Sequence, residues 1–128
     1  LGKKPKVLID TDILIGMFRG NVPYRDAIIA LNDQITISHV TVLELYAGCK
    51  TKSRIIDLAK QLKAYNQLPI TEEISFKTIE IVKANTPKRR VTLGDAFIAS
   101  TALINNLQLF TANKKDFENI KGIVFYAL

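Results

Sequence analysis

The chain has one cysteine, one histidine and no long apolar run, and each scarcity removes a class of explanation. Cys49 alone cannot form an internal disulfide, which suits a reducing compartment. His39, the only histidine, reads as a structural polar residue and not as a catalytic one. The longest uninterrupted apolar stretch, Ile123 to Leu128, falls far short of the ~20 residues that span a bilayer. No membrane helix and no secretory signal is expected, and the placement that follows is cytoplasmic. Internal repeats and low-complexity tracts are also missing. Acids are outnumbered, 12 against 18 Lys and Arg, for a net charge of +6. Such a surface attracts polyanions, with nucleic acid the first to consider, although the same charge also serves a solvated, solubilising surface.

What is present is an ordinary globular composition, 48% hydrophobic and 23% charged, over 128 residues. That length predicts a single domain, residues 1–128, with one sizeable core and no linker. Val7-Leu8-Ile9 is a continuous apolar run that fits a strand covered on both faces. A short helix is expected over Ile13–Phe18, ending near Gly20, and Pro23 starts another whose stripe is Tyr24, Ala27, Ile28 and Leu31. A strand at Ile35–Ile37 precedes a helix from Thr41 to Gly48, and Ile55, Leu58, Ala59 and Leu62 mark the next helix. Leu68-Pro69-Ile70 reads as a weak strand, confined by its proline to an edge or a strand end. A helix opening at Thr71-Glu72-Glu73 ends before Pro87 and a basic loop through Arg90. A further helix runs from Thr92 to about Asn105, followed by strands at Leu107–Thr111 and Ile123–Tyr126. Alternating strands and helices predict an α/β domain with a mainly parallel central sheet.

The acids are placed where such a sheet builds sites. Asp10 ends the first apolar run, and ligands of open parallel sheets sit at the carboxyl ends of strands. A carboxylate there is expensive to desolvate without a partner. Asp95 opens a helix whose Ile98, Ala99 and Ala102 form an apolar face, and Glu44 has small Ala47 and Gly48 beside it. A plainer account stands next to this one. Asp10 is a good N-cap, Thr41-x-x-Glu44 and Thr92-x-x-Asp95 both match the capping box, and Asn113 and Asp116 are ordinary turn residues.

The motifs taken together narrow the choice. Leu8-Ile9-Asp10-Thr11-Asp12-Ile13-Leu14, Ser38-x-x-Thr41-Val42-x-Glu44-Leu45-x-x-Gly48, Gly94-Asp95-x-x-Ile98-Ala99-x-x-Ala102 and Phe110-Thr111-x-Asn113-x-x-Asp116-Phe117 follow one another along essentially the whole chain. In that order they resemble a PIN-domain ribonuclease, most of all the VapC toxins of toxin–antitoxin pairs. The resemblance implies a three-layer α/β/α domain with a central, mainly parallel five-stranded sheet of order 3-2-1-4-5. It implies that Asp10, Glu44 and Asp95 are the acidic metal-site positions, with Thr11 orienting the first acid and Thr111 supporting it. Asp12 takes a place usually held by asparagine, and the fourth acidic position falls on Asn113, with Asp116 three residues beyond.

The chemistry implied is metal-dependent cleavage of RNA phosphodiester bonds. Crowded carboxylates repel, and a divalent cation, Mg2+ or alternatively Mn2+, relieves the repulsion, lowers the pKa of a bound water and offsets phosphoryl charge. Arg89, Arg90, Lys114 and Lys115 flank the acidic motifs and are expected to hold RNA phosphates. The family also implies a homodimer and a cognate antitoxin. Three other readings stay open: a haloacid-dehalogenase-like phosphatase using Asp10-Thr11-Asp12, a receiver domain, and a PIN-like RNA-binding module without catalysis.

Overall fold

The computed structural model describes residues 6–89 and 91–128. Its centre is strand β1, Val7–Ile9, flanked in parallel by β2, Ile35–Ser38, and by β4, Gln108–Phe110. Strand β3, Asn66–Leu68, extends the sheet beyond β2, also in parallel, for an order of β3-β2-β1-β4. The helices fill the crossovers: α1 Thr11–Phe18 and α2 Val22–Leu31, α3 His39–Ala47 and α4 Lys52–Leu62, then α5 Glu72–Asn85 and α6 Leu93–Ile104.

Successive strand residues face opposite sides of the sheet, and the core divides accordingly. Val7, Ile9, Ile35, Ile37 and Phe110 pack with α1, α2 and α4. Leu8 and Leu109 pack with α5, α6 and the buried Phe117 and Ile120 that follow β4. These are the two outer layers of an α/β/α sandwich. Helix α3 serves both, since Leu45 joins the first cluster and Val40 the second. That straddling position lets its side chains approach α6. On the first face Gly16 is required by a close approach: a Cβ there would stand 2.7 Å from the Tyr24 ring, which packs edge-on against Phe110.

Every one of these α-helices starts from a side-chain cap: Asp10, Asn21, Ser38, Thr51, Thr71 and Thr92. Such caps occupy backbone N–H groups that the helix itself leaves free. The expectation for α3 is corrected here. The helix begins at His39, capped by Ser38, whose Oγ accepts from the Val40 N–H at 3.0 Å. Thr41 is therefore inside the helix and Glu44 is not the acid of a capping box. Both Ser38 and Thr41 are good caps in sequence, and burial of β2 through Ser38 decides between them.

Two strands also differ from expectation. β3 lies at Asn66–Leu68 instead of 68–70, stopping at the residue before Pro69, whose missing N–H cannot donate to a ladder; it is an edge strand, as a proline requires. Among the described residues the sheet has four strands, where five were expected. The segment around Phe125 forms one parallel bridge to Leu109 on the outer side of β4, with Leu109 N donating to Val124 O at 2.8 Å and Tyr126 N to Leu109 O at 2.9 Å. Among the described residues no helix is long and apolar enough to cross a membrane.

Candidate active site

The strand order reverses between β1 and β4, and the crevice at their carboxyl ends is where an open parallel sheet accommodates ligands. The Ile9–Phe110 register brings the next residues, Asp10 and Thr111, side by side, and the Asp10 N–H donates to Phe110 O at 2.9 Å. Asp10 is buried, at 5% exposure. Its Oδ1 accepts from the Thr11 N–H at 2.8 Å, capping α1, and its Oδ2 accepts from the Thr111 hydroxyl at 2.8 Å. Capping and site are thus not alternatives for Asp10; one oxygen serves each. Burial first, and the Asp12 charge second, push the Asp10 carboxyl from 3.8 up to about 7.

Thr11 points the other way. Its Oγ1 donates to Glu44 Oε1 at 2.8 Å, and the Thr41 Oγ1 stands 3.0 Å from it. One hydroxyl carries one proton, so with Thr11 donating to the carboxylate, the buried Thr41 hydroxyl donates to Thr11. This chain of groups sets the height of Glu44 on α3. Across from it, α6 comes close: a Cβ on Gly94 would lie 3.2 Å from Glu44 Oε2. Glycine at 94 leaves the space that the Glu44 carboxylate occupies.

Asp95 follows directly, half-buried in the first turn of α6. Thr92 caps that turn by accepting from the Asp95 N–H at 3.1 Å. Burial raises the Asp95 carboxyl above its usual range, and the charges of Asp116, Glu44 and Asp12 raise it further. Asp12 is raised too, chiefly by burial. The acids singled out from sequence therefore come together at one edge of the sheet, close enough for neighbouring charge to raise Asp10 and Asp95.

They do not form a closed cage. Among the described residues no three Asp, Glu, His or Cys side chains converge tightly enough to hold a metal by themselves. The donors are nevertheless all oxygens, and Asp12 Oδ1 is buried without a hydrogen-bond partner. A hard cation that prefers oxygen ligands and keeps several waters in its shell fits such a set.

The remaining expected residues are placed unevenly. Asn113 Nδ2 donates to Asp12 Oδ2 at 3.0 Å, so its amide is turned toward Asp12. Asp116 is exposed in the turn Lys114–Asp116 after β4. Lys114 lies over the Phe125 ring, 5.7 Å from its centroid, Arg89 donates to Asn119, and Lys115 is exposed. Arg90 lies outside the described residues. Sequence reasoning passed over a second basic group, Arg19, Lys50 and Arg54, which lines a hollow beside Glu44. Its signal was modest: Arg19 directly follows the helix that carries Thr11, and Lys50 lies three residues past the helix that carries Glu44.

Comparison with known proteins agrees with this arrangement. Ribonuclease VapC10 of Mycobacterium tuberculosis is 33% identical over 110 residues, covering 84% of this chain and 82% of that protein. Ribonuclease VapC1 of Methanocaldococcus jannaschii is 31% identical over 130 residues, covering 97% and 89%. Among solved structures, a toxin–antitoxin complex from Klebsiella pneumoniae superimposes with a TM-score of 0.79 at 31% identity, over 96% of this chain and 100% of that one. VapBC2 from Rickettsia felis, bound to a DNA fragment from its promoter, shares the fold with a TM-score of 0.82. The phosphatase and receiver readings give way to these findings. A model of the PIN domain matches residues 7–123, from the first strand to just before the Phe125 bridge, and this chain belongs to the PIN-domain family.

Proposed function

We propose that this chain is a metal-dependent endoribonuclease and the toxin of a toxin–antitoxin pair. The observation that carries the reading is the gathering of Asp10, Asp12, Glu44 and Asp95 at the β1–β4 switch point, with burial raising three of them and neighbouring charge adding to the rise at Asp10 and Asp95. Relatives named as VapC ribonucleases and a neighbour solved as a toxin–antitoxin complex support it.

Asp10, Glu44 and Asp95 would hold the cation, Mg2+ or alternatively Mn2+. When bound, such an ion lowers the pKa of water and offsets charge on phosphoryl oxygens. The protein supplies orientation and charge. Thr111 and the α1 N-terminus fix the two oxygens of Asp10, and Thr11 fixes Glu44. Arg19, Lys50 and Arg54 on the Glu44 side, with Lys115 on the other, would hold phosphates either side of the scissile bond without selecting bases. An antitoxin would compete for the same basic, acid-lined cleft, the active form would be a homodimer, and cellular RNA places its work in the cytoplasm.

The test is cleavage of a panel of structured RNAs with and without magnesium by the wild-type chain, Asp10→Asn and Asp95→Asn. Magnesium-dependent cutting that both variants lose is the expected result. Undiminished cutting by well-purified variants would overturn the proposal.

A further inference from the structure

Asp12 and Asn113 face each other across the β1–β4 crevice and are bonded to one another. Asp12 Oδ2 accepts from Asn113 Nδ2 at 3.0 Å and from the Ala112 N–H at 3.2 Å, and stands 3.4 Å from the Thr111 hydroxyl. That hydroxyl gives its proton to Asp10 at 2.8 Å, so Asp12 Oδ2 is held by the two nitrogens. The second oxygen, Oδ1, is buried and meets no donor among the described residues. Such an oxygen is badly served unless a cation, or a proton shared with a neighbouring acid, reaches it.

Asn113 is in turn committed. An amide facing a carboxylate presents its NH2, because two acceptors would repel. Its backbone N–H donates to Thr111 Oγ1 at 3.0 Å, which fixes the turn that carries it. The side chain at the position expected to hold a fourth acid is therefore a donor tied to an acid on the opposite strand end. The carboxylate is present, but on β1's side of the hydrogen bond.

We infer that Asp12 is the fourth carboxylate of this site, offering Oδ1 to the divalent cation, and that Asn113 is a positioning residue holding Asp12 through Oδ2. Asparagine at 113 then costs the site no charge. The inference takes its purpose from the ribonuclease reading but is tested on metal binding, so the two fail separately.

The experiment is manganese(II) binding to the full chain, followed by the electron paramagnetic resonance signal of the free ion, for wild type, Asp12→Asn and Asn113→Ala. Far-UV circular dichroism checks that each is folded. Asp12→Asn is expected to weaken binding about 10–100-fold and Asn113→Ala several-fold, in the range for losing a ligand or its outer partner. Wild-type affinity in Asp12→Asn would overturn the assignment of Asp12. Wild-type affinity in Asn113→Ala would overturn the positioning role. Tight manganese binding by a wild-type chain that cuts no RNA would instead count against the ribonuclease reading and leave this one standing.

Discussion

Replacing Asp10 by asparagine should make the metal-free protein more stable at pH 8. The Asp10 carboxyl is lifted from 3.8 to about 7, first by burial and then by Asp12. Between those values the folded chain holds a proton that the unfolded chain has released, so stability is greatest below 3.8 and falls as pH rises toward 7. At 1.36 kcal/mol per pKa unit, the charged form costs at most about 4 kcal/mol. Asparagine has no charge to desolvate and keeps the bonds: its Oδ1 accepts from the Thr11 N–H, and its Nδ2 donates to the Thr111 hydroxyl, which reverses. In a chelator, Asp10→Asn is expected to melt higher than wild type at pH 8 by an amount worth about 2–4 kcal/mol, or roughly 10 °C for a domain of this size. Near pH 4 the two should coincide. Adding magnesium should raise the wild-type melting temperature at pH 8 and leave the variant's unchanged, while RNA cleavage by the variant falls ~100-fold or more, beyond the cost of losing an outer partner. Differential scanning calorimetry across pH reads the melting temperatures, and an RNA cleavage assay reads the activity. A variant that melts with wild type at every pH, or below it at pH 8, would refute the reasoning.

Gly94→Ala should leave stability within about 1 kcal/mol, because alanine favours the helix, yet the new Cβ sits where it meets Glu44 Oε2 at 3.2 Å; RNA cleavage measured beside a thermal melt should fall while the melt does not. Thr11→Val removes the hydroxyl that joins Glu44 to Thr41 and should cost about 1 kcal/mol in urea unfolding, with a larger proportional loss of cleavage. Ser38→Ala strips the α3 cap, leaving the Val40 N–H unpaired in a buried setting. It should cost about 1 kcal/mol with an unchanged urea m-value.

Asp10 was legible because an apolar run ending in a carboxylate has few physical meanings, and Asp95 because its helix buries Ala96, Ile98, Ala99 and Ala102 in one core. Glu44 was legible as a residue but not in its setting. Ser38 and Thr41 are equally good caps, and the choice between them depends on where β2 ends and on a hydroxyl that Thr41 shares with Thr11, thirty residues away. The Asp12–Asn113 bond joins residues 101 apart and leaves no local trace. Lys114 and Arg89 look like free cations in sequence; their engagement with Phe125 and Asn119 depends on how the C-terminal segment passes β4. Helix spacing was readable because it is local, whereas the pairing of the last segment with β4, one bridge from Leu109 to Phe125, is a tertiary contact that no local pattern records.

The pairing of β1 with β4 has a consequence for when the site comes into being. Thr111 meets Asp10 across a separation of 101 residues, whereas β1 meets β2 much earlier in the chain. Contacts so distant in sequence form late, and a chain folding as it is synthesised makes its N-terminal contacts first. A nascent chain can build β1, α1, α2 and β2 while Asp10 still lacks Thr111 and Asp95 has yet to emerge. Whatever this site does to RNA, it cannot do it to the messenger and ribosome that are making it until synthesis has passed the fourth strand.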